Sequence, residues 1–369
     1  MPKFTNNILI ASSSNSVPTT DTSYALFVSG SNLYLASASY VQQLNLDTGY
    51  IRILEYTGSS ARSTNTVYTY EVSPLVKMVT IAAVGAGGGG GGGARKDANT
   101  GTRAGGGGAA GAGLVVMTLL SQSLATSYTI TVPGAPSGGL GGVTSNADGR
   151  AGQAGGSTSV GSIIVAPGGP AGFGGTDDAF TTTPSTAATP GFGPYFTIGN
   201  EGGRVLINGT LTPGVTVPTG GKYQSVAYWR SAMSGIRGMA GGGAGGLITT
   251  AHATQGPTSG SSVNVYGRII PAGSGGATGT GQSAQSSPSN VLNAIHLFRI
   301  SGSLLQCRYG VGAGGSGGAS SATPGTPGGN GGNGGHFGAA GGGGGAGSGS
   351  AGGNGGSGSA GYVAILEFY

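Results

Sequence analysis

The side chains that most often carry out chemistry are few and widely spaced in this sequence. Only ten of the 369 residues are acidic, and the one adjacent pair is Asp177-Asp178. Glycoside hydrolases place two carboxyl groups roughly 5–10 Å apart across one bond, whereas neighbours on an extended strand point to opposite faces. We therefore expect Asp177 and Asp178 to lie in a solvated loop and not in a catalytic cleft.

Residues that bind metals or act as nucleophiles are equally sparse. The three histidines, His252, His296 and His336, are far apart and lack the spacing of zinc ligands. Cys307 is the only cysteine, so the chain cannot form an intramolecular disulfide, and a buried inert thiol is its ordinary state. The sequence predicts no catalytic residue, no metal site and no cofactor, and hence a protein that is not an enzyme.

Nucleotide-binding and nucleic-acid-binding signals are weak as well. GxGxxG matches occur by chance at this glycine density, and none opens a helix with an acidic residue about 20 positions later. The formal net charge is +5, but the basic residues are scattered, and only Arg95, Lys96 and Arg103 approach a cluster. A nucleic-acid footprint needs a denser basic stripe, so we predict no nucleic-acid partner.

Aromatic side chains are the remaining functional signal. Tyr223, Tyr228, Trp229 and Arg230 have the composition of a binding hot spot, because Tyr, Trp and Arg supply rigid contact area. The same residues could instead form the core or a subunit interface of the segment that contains them. The full set of candidate receptor contacts is Tyr223, Tyr228, Trp229, Arg230, Phe192, Tyr195, His336 and Phe337.

Composition points to the elements that must position these residues. The chain contains 85 glycines, and charged residues make up only 7%, against about 25% in typical globular proteins. Each glycine in a helix costs roughly 1 kcal/mol relative to alanine, so several helices are excluded. No apolar run of about 18 residues could span a bilayer, and no secretory signal is visible. We predict an all-β protein made in a cytoplasm, without membrane insertion.

The pattern divides the chain into two domains. Residues 1–66 are poor in glycine and contain short strands, including hairpins at 24–35 and 40–56, so this segment is predicted to be an attachment or oligomerisation module. Residues 67–369 are predicted to form a glycine-rich β domain. Its core spans 67–175 and 311–369, where strands alternate with glycine tracts, and an aromatic-rich insertion spans 176–310.

The glycine tracts leave three interpretations open. They could be flexible linkers, irregular loops on a β-sandwich, or packed polyglycine-II-like rods whose backbone groups bond to neighbouring rods. We predict a β-sandwich with packed rods, because linkers do not need strands at both ends. Collagen is excluded because the strict glycine triplet is absent. The segment 328–336 repeats every three residues, which would place Asn330, Asn333 and His336 along one edge of a rod.

A strand at 75–84 that runs into Gly85 to Gly93, further glycine tracts, and the closing strand from Tyr362 together resemble the glycine-rich domain of bacteriophage tail-fibre and tail-tip adhesins. In T-even-like phages, such rods carry variable loops that recognise the host. The resemblance covers roughly 67–175 and 311–369. It implies loops that contact a receptor, but it carries over no fixed residues.

The resemblance implies a structural and receptor-binding protein of a phage tail, located in the virion tail. Its expected partners are further copies of itself, with a trimer favoured, other tail or baseplate proteins bound through the N-terminus, and a host surface glycan or outer-membrane protein. Two alternatives stay open: a purely structural tail component, and a depolymerase that cleaves host glycans.

Overall fold

The computed structural model describes most of the glycine-rich domain and single strands elsewhere. The described residues are 8–11, 24–29, 32–37, 40–44, 51–60, 64–97, 102–177, 195–197, 241–248, 253–257, 259–260, 263–265, 268–286, 298–300, 303–305 and 312–369. Over these ranges the regular structure is strands in mostly antiparallel sheets, with one 3-10 turn at Ser121–Ser123. The all-β prediction is confirmed for this part, in which no helix has the length and apolarity to cross a bilayer.

The N-terminal strands form a four-stranded sheet in sequential order. Its strands are β1 (Ile8–Ala11), β2 (Tyr24–Ser29), β3 (Asn32–Ser37) and β4 (Tyr40–Leu44), of which β1 and β2 run parallel. The predicted hairpin at 24–35 is confirmed, because Ser29 pairs with Asn32 across a two-residue turn. The predicted hairpin at 40–56 is wrong, since β4 pairs with β3 while β5 (Ile51–Thr57) joins a different sheet.

Two larger sheets form the base of the glycine-rich domain. The first has the order β13-β9-β7-β21-β5, with β7 at Met78–Val84, β9 at Leu114–Leu120, β13 at Tyr195–Thr197 and β21 at Tyr362–Phe368. The second has the order β12-β11-β10-β6, with β6 at Thr66–Glu71, β10 at Ser127–Val132, β11 at Thr158–Val160 and β12 at Ile164–Ala166. The last strand of the chain therefore lies in the middle of a sheet, between β7 and β5.

The hydrophobic core lies between these two sheets. Alternating positions of each strand point inward, as the twofold period of a strand requires. The first sheet contributes Val79, Ile81 and Ile365, which are fully buried, and the second contributes Ile130 and Ile164. At roughly 25 cal/mol per Å² of apolar surface, this core is the main source of hydrophobic stabilisation in the described domain.

The shorter strands occur as two-stranded pairs. They are β8 (Arg95–Lys96) with β20 (Gly347–Ser348), β14 (Leu247–Ile248) with β15 (Thr254–Gln255), β16 (Val263–Val265) with β17 (Arg268–Ile270), and β18 (Phe298–Ile300) with β19 (Ser303–Leu305). The sequence predicts one strand at 159–165 and another at 263–270, but each segment contains two antiparallel strands. In the first of these, Gly161 turns the chain with a φ of +50°, a conformation that glycine adopts without steric cost.

The glycine tracts leave one end of the two sheets and lead to polar turns. Residues 85–94 follow β7 and end at β8, residues 133–142 follow β10 and end at the turn 143–146, and residues 351–361 return into β21. We call the turns at 95–97, 143–148, 177, 322–326 and 348–350 the loop end of the domain. The tracts thus separate the loop end from the hydrophobic core.

Candidate binding surface

The tract 85–94 lies at the centre of a network of backbone hydrogen bonds. Successive N–H groups donate to three other tracts one after the other, and the order repeats every three residues. The bonds, at 2.8–3.0 Å, are Gly88 to Ala110, Gly89 to Gln153, Gly90 to Gly356, Gly91 to Gly107, Gly92 to Arg150 and Gly93 to Gly353. Its carbonyl groups accept in the same rotation from three further tracts, 133–142, 167–176 and 338–347. The tract therefore contacts six neighbours, and residues three apart face the same neighbour.

The tract 338–347 is a second centre of the same kind. It donates to 85–94, 327–336 and 241–248, and it accepts from 104–113, 312–321 and 351–361. Gly341 donates to Gly88 and Gly344 donates to Gly91, so the two central tracts are directly bonded to each other. Each backbone bond contributes a net 0.5–1.5 kcal/mol or so, and the satisfied N–H and C=O groups make burial of a side-chain-free backbone tolerable.

Glycine is required at the centre because the backbones approach too closely for side chains. A Cβ atom on Gly90 would lie 2.1 Å from the carbonyl oxygen of Gly342, which is well inside van der Waals contact. In the outer tract 149–157, by contrast, only every third residue faces inward. Those residues are Gly149, Gly152 and Gly155, whose Cβ atoms would meet the tract 85–94 at 1.9–2.1 Å.

Asparagine side chains end the network at one of its edges. The side-chain oxygen of Asn330 accepts the N–H of Asn354 at 2.8 Å, and that of Asn333 accepts the N–H of Ser357 at 2.8 Å. The side-chain oxygen of Asn354 in turn accepts the N–H of Gly141 at 2.9 Å. Each amide supplies the acceptor that a further tract would supply, so exposed backbone donors are satisfied without another chain. This edge matches the periodicity that the sequence shows at Asn330 and Asn333.

Hydrogen bonds hold three segments of the loop end together. Asp97 bonds the guanidinium of Arg95 at 2.9 Å and the hydroxyl of Ser145, and these two donors hold the pKa of Asp97 below its usual range. A second connection joins the turn to residue 177, because the N–H of Asp177 donates to a carboxylate oxygen of Asp148 at 2.8 Å. The segments 95–97, 143–148 and 177 are thereby fixed relative to each other.

Arg103 differs from the other cations of the loop end because it is fully buried. Its backbone forms a reciprocal pair with Ile248, with both N–H to O distances at 2.9 Å. Burial lowers the pKa of its guanidinium below the ordinary value. Of the cluster suggested by the sequence, Arg95 and Lys96 therefore lie at the surface of the loop end, while Arg103 lies inside it.

The buried carboxylate of Glu367 is the other charged group that could suggest chemistry. It accepts bonds from the hydroxyl groups of Tyr70 at 2.8 Å and Tyr369 at 2.9 Å, and it pairs with Nε and Nη2 of the Arg52 guanidinium. Burial, reinforced by Glu367, raises the pKa of Tyr70 far above its ordinary value. Glu367 has no exposed surface, so this cluster joins three strands and offers no access to a substrate.

The structure places two of the predicted receptor contacts at the strand end of the tracts. His336 and Phe337 are half-buried in the turn between 327–336 and 338–347, and their rings stack with centroids 6.1 Å apart. The ring of Phe337 also stacks on buried Tyr362 of β21, at 5.0 Å. Burial lowers the pKa of His336. These two residues join the tracts to the sheets, on the opposite side from the loop end.

The other six candidates stay predictions. Tyr195 lies in β13, which pairs with β9, and only its backbone is described. Five candidates lie outside the described residues: Phe192, Tyr223, Tyr228, Trp229 and Arg230. Asp177 is described, but Asp178 is not. Among the described residues, no group of three or more His, Cys, Asp or Glu side chains is placed to bind a metal ion.

Neither protein-family models nor curated proteins match this sequence. The functional interpretation therefore depends on the geometry of the tracts and of the loop end.

Proposed function

We propose that this chain is a structural and receptor-binding protein of a bacteriophage tail, in which packed polyglycine-II-like rods hold variable loops at one end. The observation that supports this most is the rotation of backbone bonds around 85–94. The bonding partners of this tract recur every three residues, and a polyglycine II helix likewise has three residues per turn. A tract bonded to six neighbours behaves as part of a stiff body, and not as a tether.

A stiff body of this kind is a suitable support for loops that bind a receptor. Flexible loops lose conformational entropy when they bind, and a rigid support lowers that cost. The tracts place the core at one end and the polar turns at the other, and the connected segment 178–240 begins directly after residue 177 of the loop end. In this proposal the loop end and the insertion at 176–310 contact the host, and a surface glycan or an outer-membrane protein is the receptor.

The N-terminal sheet is proposed to attach the protein to the rest of the tail. The sequence of its strands has apolar residues at adjacent positions, which favours further partners, and a homotrimer with baseplate or tail proteins bound to this sheet fits that need. The unit would act in the virion tail without a cofactor or catalytic step.

Exchange of the insertion tests this proposal. The segment 178–240 is replaced by a Gly-Ser linker of equal length in the phage, and adsorption to host cells is measured. A matched variant replaces the turn Ser121–Ser123 by Gly-Ser-Gly, because this turn joins β9 to β10 at the end of the sheets away from the loop end.

We expect adsorption to fall at least tenfold with the first replacement and to change less than twofold with the second. Intact particles with unchanged adsorption after both replacements would instead indicate a purely structural component. Release of reducing sugar ends from host polysaccharide by the wild-type protein would indicate a depolymerase.

A further inference from the structure

The outer tract 133–142 carries an apolar ridge that the packing of the domain does not use. Leu140 and Val143 are 55% and 67% exposed. They lie three residues apart, with Leu140 in the tract and Val143 at the start of the turn that follows it. The remaining glycine positions of this tract face neighbouring backbones, as the 2.0 Å approach of a Gly141 Cβ atom to Gly352 shows. The two side chains therefore stand on the outside of the domain, close to the loop end.

One side of the ridge is bordered by an arginine with an unused guanidinium. The N–H of Arg150 donates to the carbonyl of Leu140 at 2.8 Å, which sets the two residues side by side on adjacent tracts. One triplet further from the loop end, Gln153 and Ser137 occupy equivalent positions, and the Ser137 hydroxyl donates to the Gln153 side-chain oxygen at 3.0 Å. Side chains at this register therefore meet across the groove between the two tracts.

The Arg150 side chain itself is exposed, and within the described part of the chain it forms no hydrogen bond or ion pair. In the neighbouring loop end, Asp97 accepts bonds from Arg95 and Ser145, and Asp148 accepts the N–H of Asp177. Within the described residues, the five donors of Arg150 are therefore unpaired beside the apolar ridge.

The other side of the ridge is bordered by Asn354. Its side-chain oxygen accepts the N–H of Gly141, which fixes the orientation of the amide, and the residue is exposed. Within the described residues that NH₂ group donates to no other group. Both borders of the ridge therefore present hydrogen-bond donors, and the donor next to Leu140 is positively charged.

A ligand that fits this surface must supply acceptors, negative charge and a small apolar face. A guanidinium binds a carboxylate through two parallel hydrogen bonds, and aliphatic side chains pack on the C–H face of a sugar ring. The ridge has only two apolar residues, whereas a standard protein–protein interface buries about 800 Å² on each partner. The groove continues along the tract to Ser137 and Gln153, one triplet or about 9 Å away at 3.1 Å per residue, so it has room for an extended polymer.

We propose that the surface formed by Leu140, Val143, Arg150 and Asn354 binds a carboxylate-bearing polysaccharide, with Arg150 as the group that binds the carboxylate. The inference deepens the proposed receptor-binding function and depends on it. It assigns a contact to the side of the packed tracts, in addition to the loops.

Titration calorimetry with an oligomer of polygalacturonate, which carries a carboxylate on every ring, tests the site on the full-length protein. Arg150→Gln is compared with Lys77→Gln, which removes the same charge from an exposed position beside β7, at the opposite end of the sheets. Leu140→Ser tests the apolar ridge. Dextran serves as the neutral polymer and inorganic polyphosphate as the anionic polymer without sugar rings. Thermal unfolding checks that each variant is folded.

We expect R150Q to weaken binding of polygalacturonate at least tenfold and L140S about threefold, while K77Q stays within twofold and dextran does not bind. Equal affinity of wild type and R150Q would overturn the proposal, and so would equal losses in K77Q and R150Q or equal affinity for polyphosphate. If the wild-type protein does not bind polygalacturonate while the phage still needs 178–240 for adsorption, only the proposed site at Arg150 is refuted. If adsorption does not depend on 178–240 either, the receptor-binding function itself fails.

Discussion

Substitution of Gly90 by alanine tests whether the packed backbone tracts hold the domain together. Gly90 lies in the middle of 85–94, where its N–H donates to Gly356 and its carbonyl accepts from Gly139. The new Cβ atom would lie 2.1 Å from the carbonyl oxygen of Gly342. Since ordinary contact begins near 3.4 Å, the two central tracts must separate by more than 1 Å or the backbone must distort.

The expected cost follows from the bonds that join the two central tracts. Three backbone hydrogen bonds connect 338–347 to 85–94, at 2.9, 2.9 and 3.0 Å. At a net contribution of about 1 kcal/mol each, their loss lowers the free energy of unfolding by about 3 kcal/mol. A matched variant must correct for the entropy that alanine removes from the unfolded chain, about 0.4–1 kcal/mol.

Gly275→Ala provides that control. A Cβ atom there would meet Pro257 at 3.3 Å and the next heavy atom at 3.6 Å, so the same substitution fits with a small adjustment. By calorimetry we expect G275A to unfold within 1 °C of wild type, and G90A to unfold at least about 6 °C lower, from roughly 2 °C per kcal/mol for a large domain. Equal melting temperatures for the two variants would refute the packed-tract interpretation.

Three further outcomes follow from the described contacts. Since burial raises the pKa of Tyr70, the folded state holds its proton more tightly than the unfolded state. The contribution of Tyr70 to the free energy of unfolding should therefore be level below about pH 10 and fall above it, and urea unfolding at pH 8–11 should show a smaller fall in Tyr70→Phe; an unchanged slope would contradict this. Burial lowers the pKa of His336, so its NMR titration midpoint should lie below 6.5, with stability decreasing as the pH falls through this region; a midpoint at or above 6.5 would count against the observed burial. Asn330→Ala should speed amide exchange at Asn354, whose N–H it caps, and leave Gly356 unchanged, whereas equal rates at Asn354 before and after substitution would show that the cap is not formed.

Local pattern was sufficient to predict the strands but not all of their partners. Alternating residues with short turns correctly predicted β2, β3, β7 and β21. The hairpin assigned to 40–56 failed because the register of β5 depends on β21, whose Glu367 pairs with Arg52 more than 300 positions away. The residues of a turn indicate only how the two adjacent strands pair. The pairing of β5 with β21 depends instead on a long-range ion pair and on burial.

The candidate site shows a similar division. The sequence predicted aromatic residues as contacts. Of these, His336 stacks on Phe337, and Phe337 stacks on Tyr362 at the strand end of the tracts. Arg150 and Leu140 were not predicted as binding residues, because an isolated arginine or leucine in a glycine-rich segment forms no recognisable motif. Their proximity results from the register between two tracts, and this register is fixed by backbone bonds that leave no mark in side-chain patterns.

The glycine content of each triplet nevertheless indicates where a tract lies. The central tract 85–94 has glycine at all three positions of its triplets, apart from alanines near its ends, and it has six bonded neighbours. The tract 327–336 has two glycines per triplet and exposes its asparagines, while 149–157 has one inward glycine per triplet and exposes the rest. A non-glycine side chain can stand only where no backbone is packed, so such positions in a tract point outward. Arg150 and Leu140 occupy positions of this kind, which is why a binding residue can be placed there without disturbing the packed backbone that supports it.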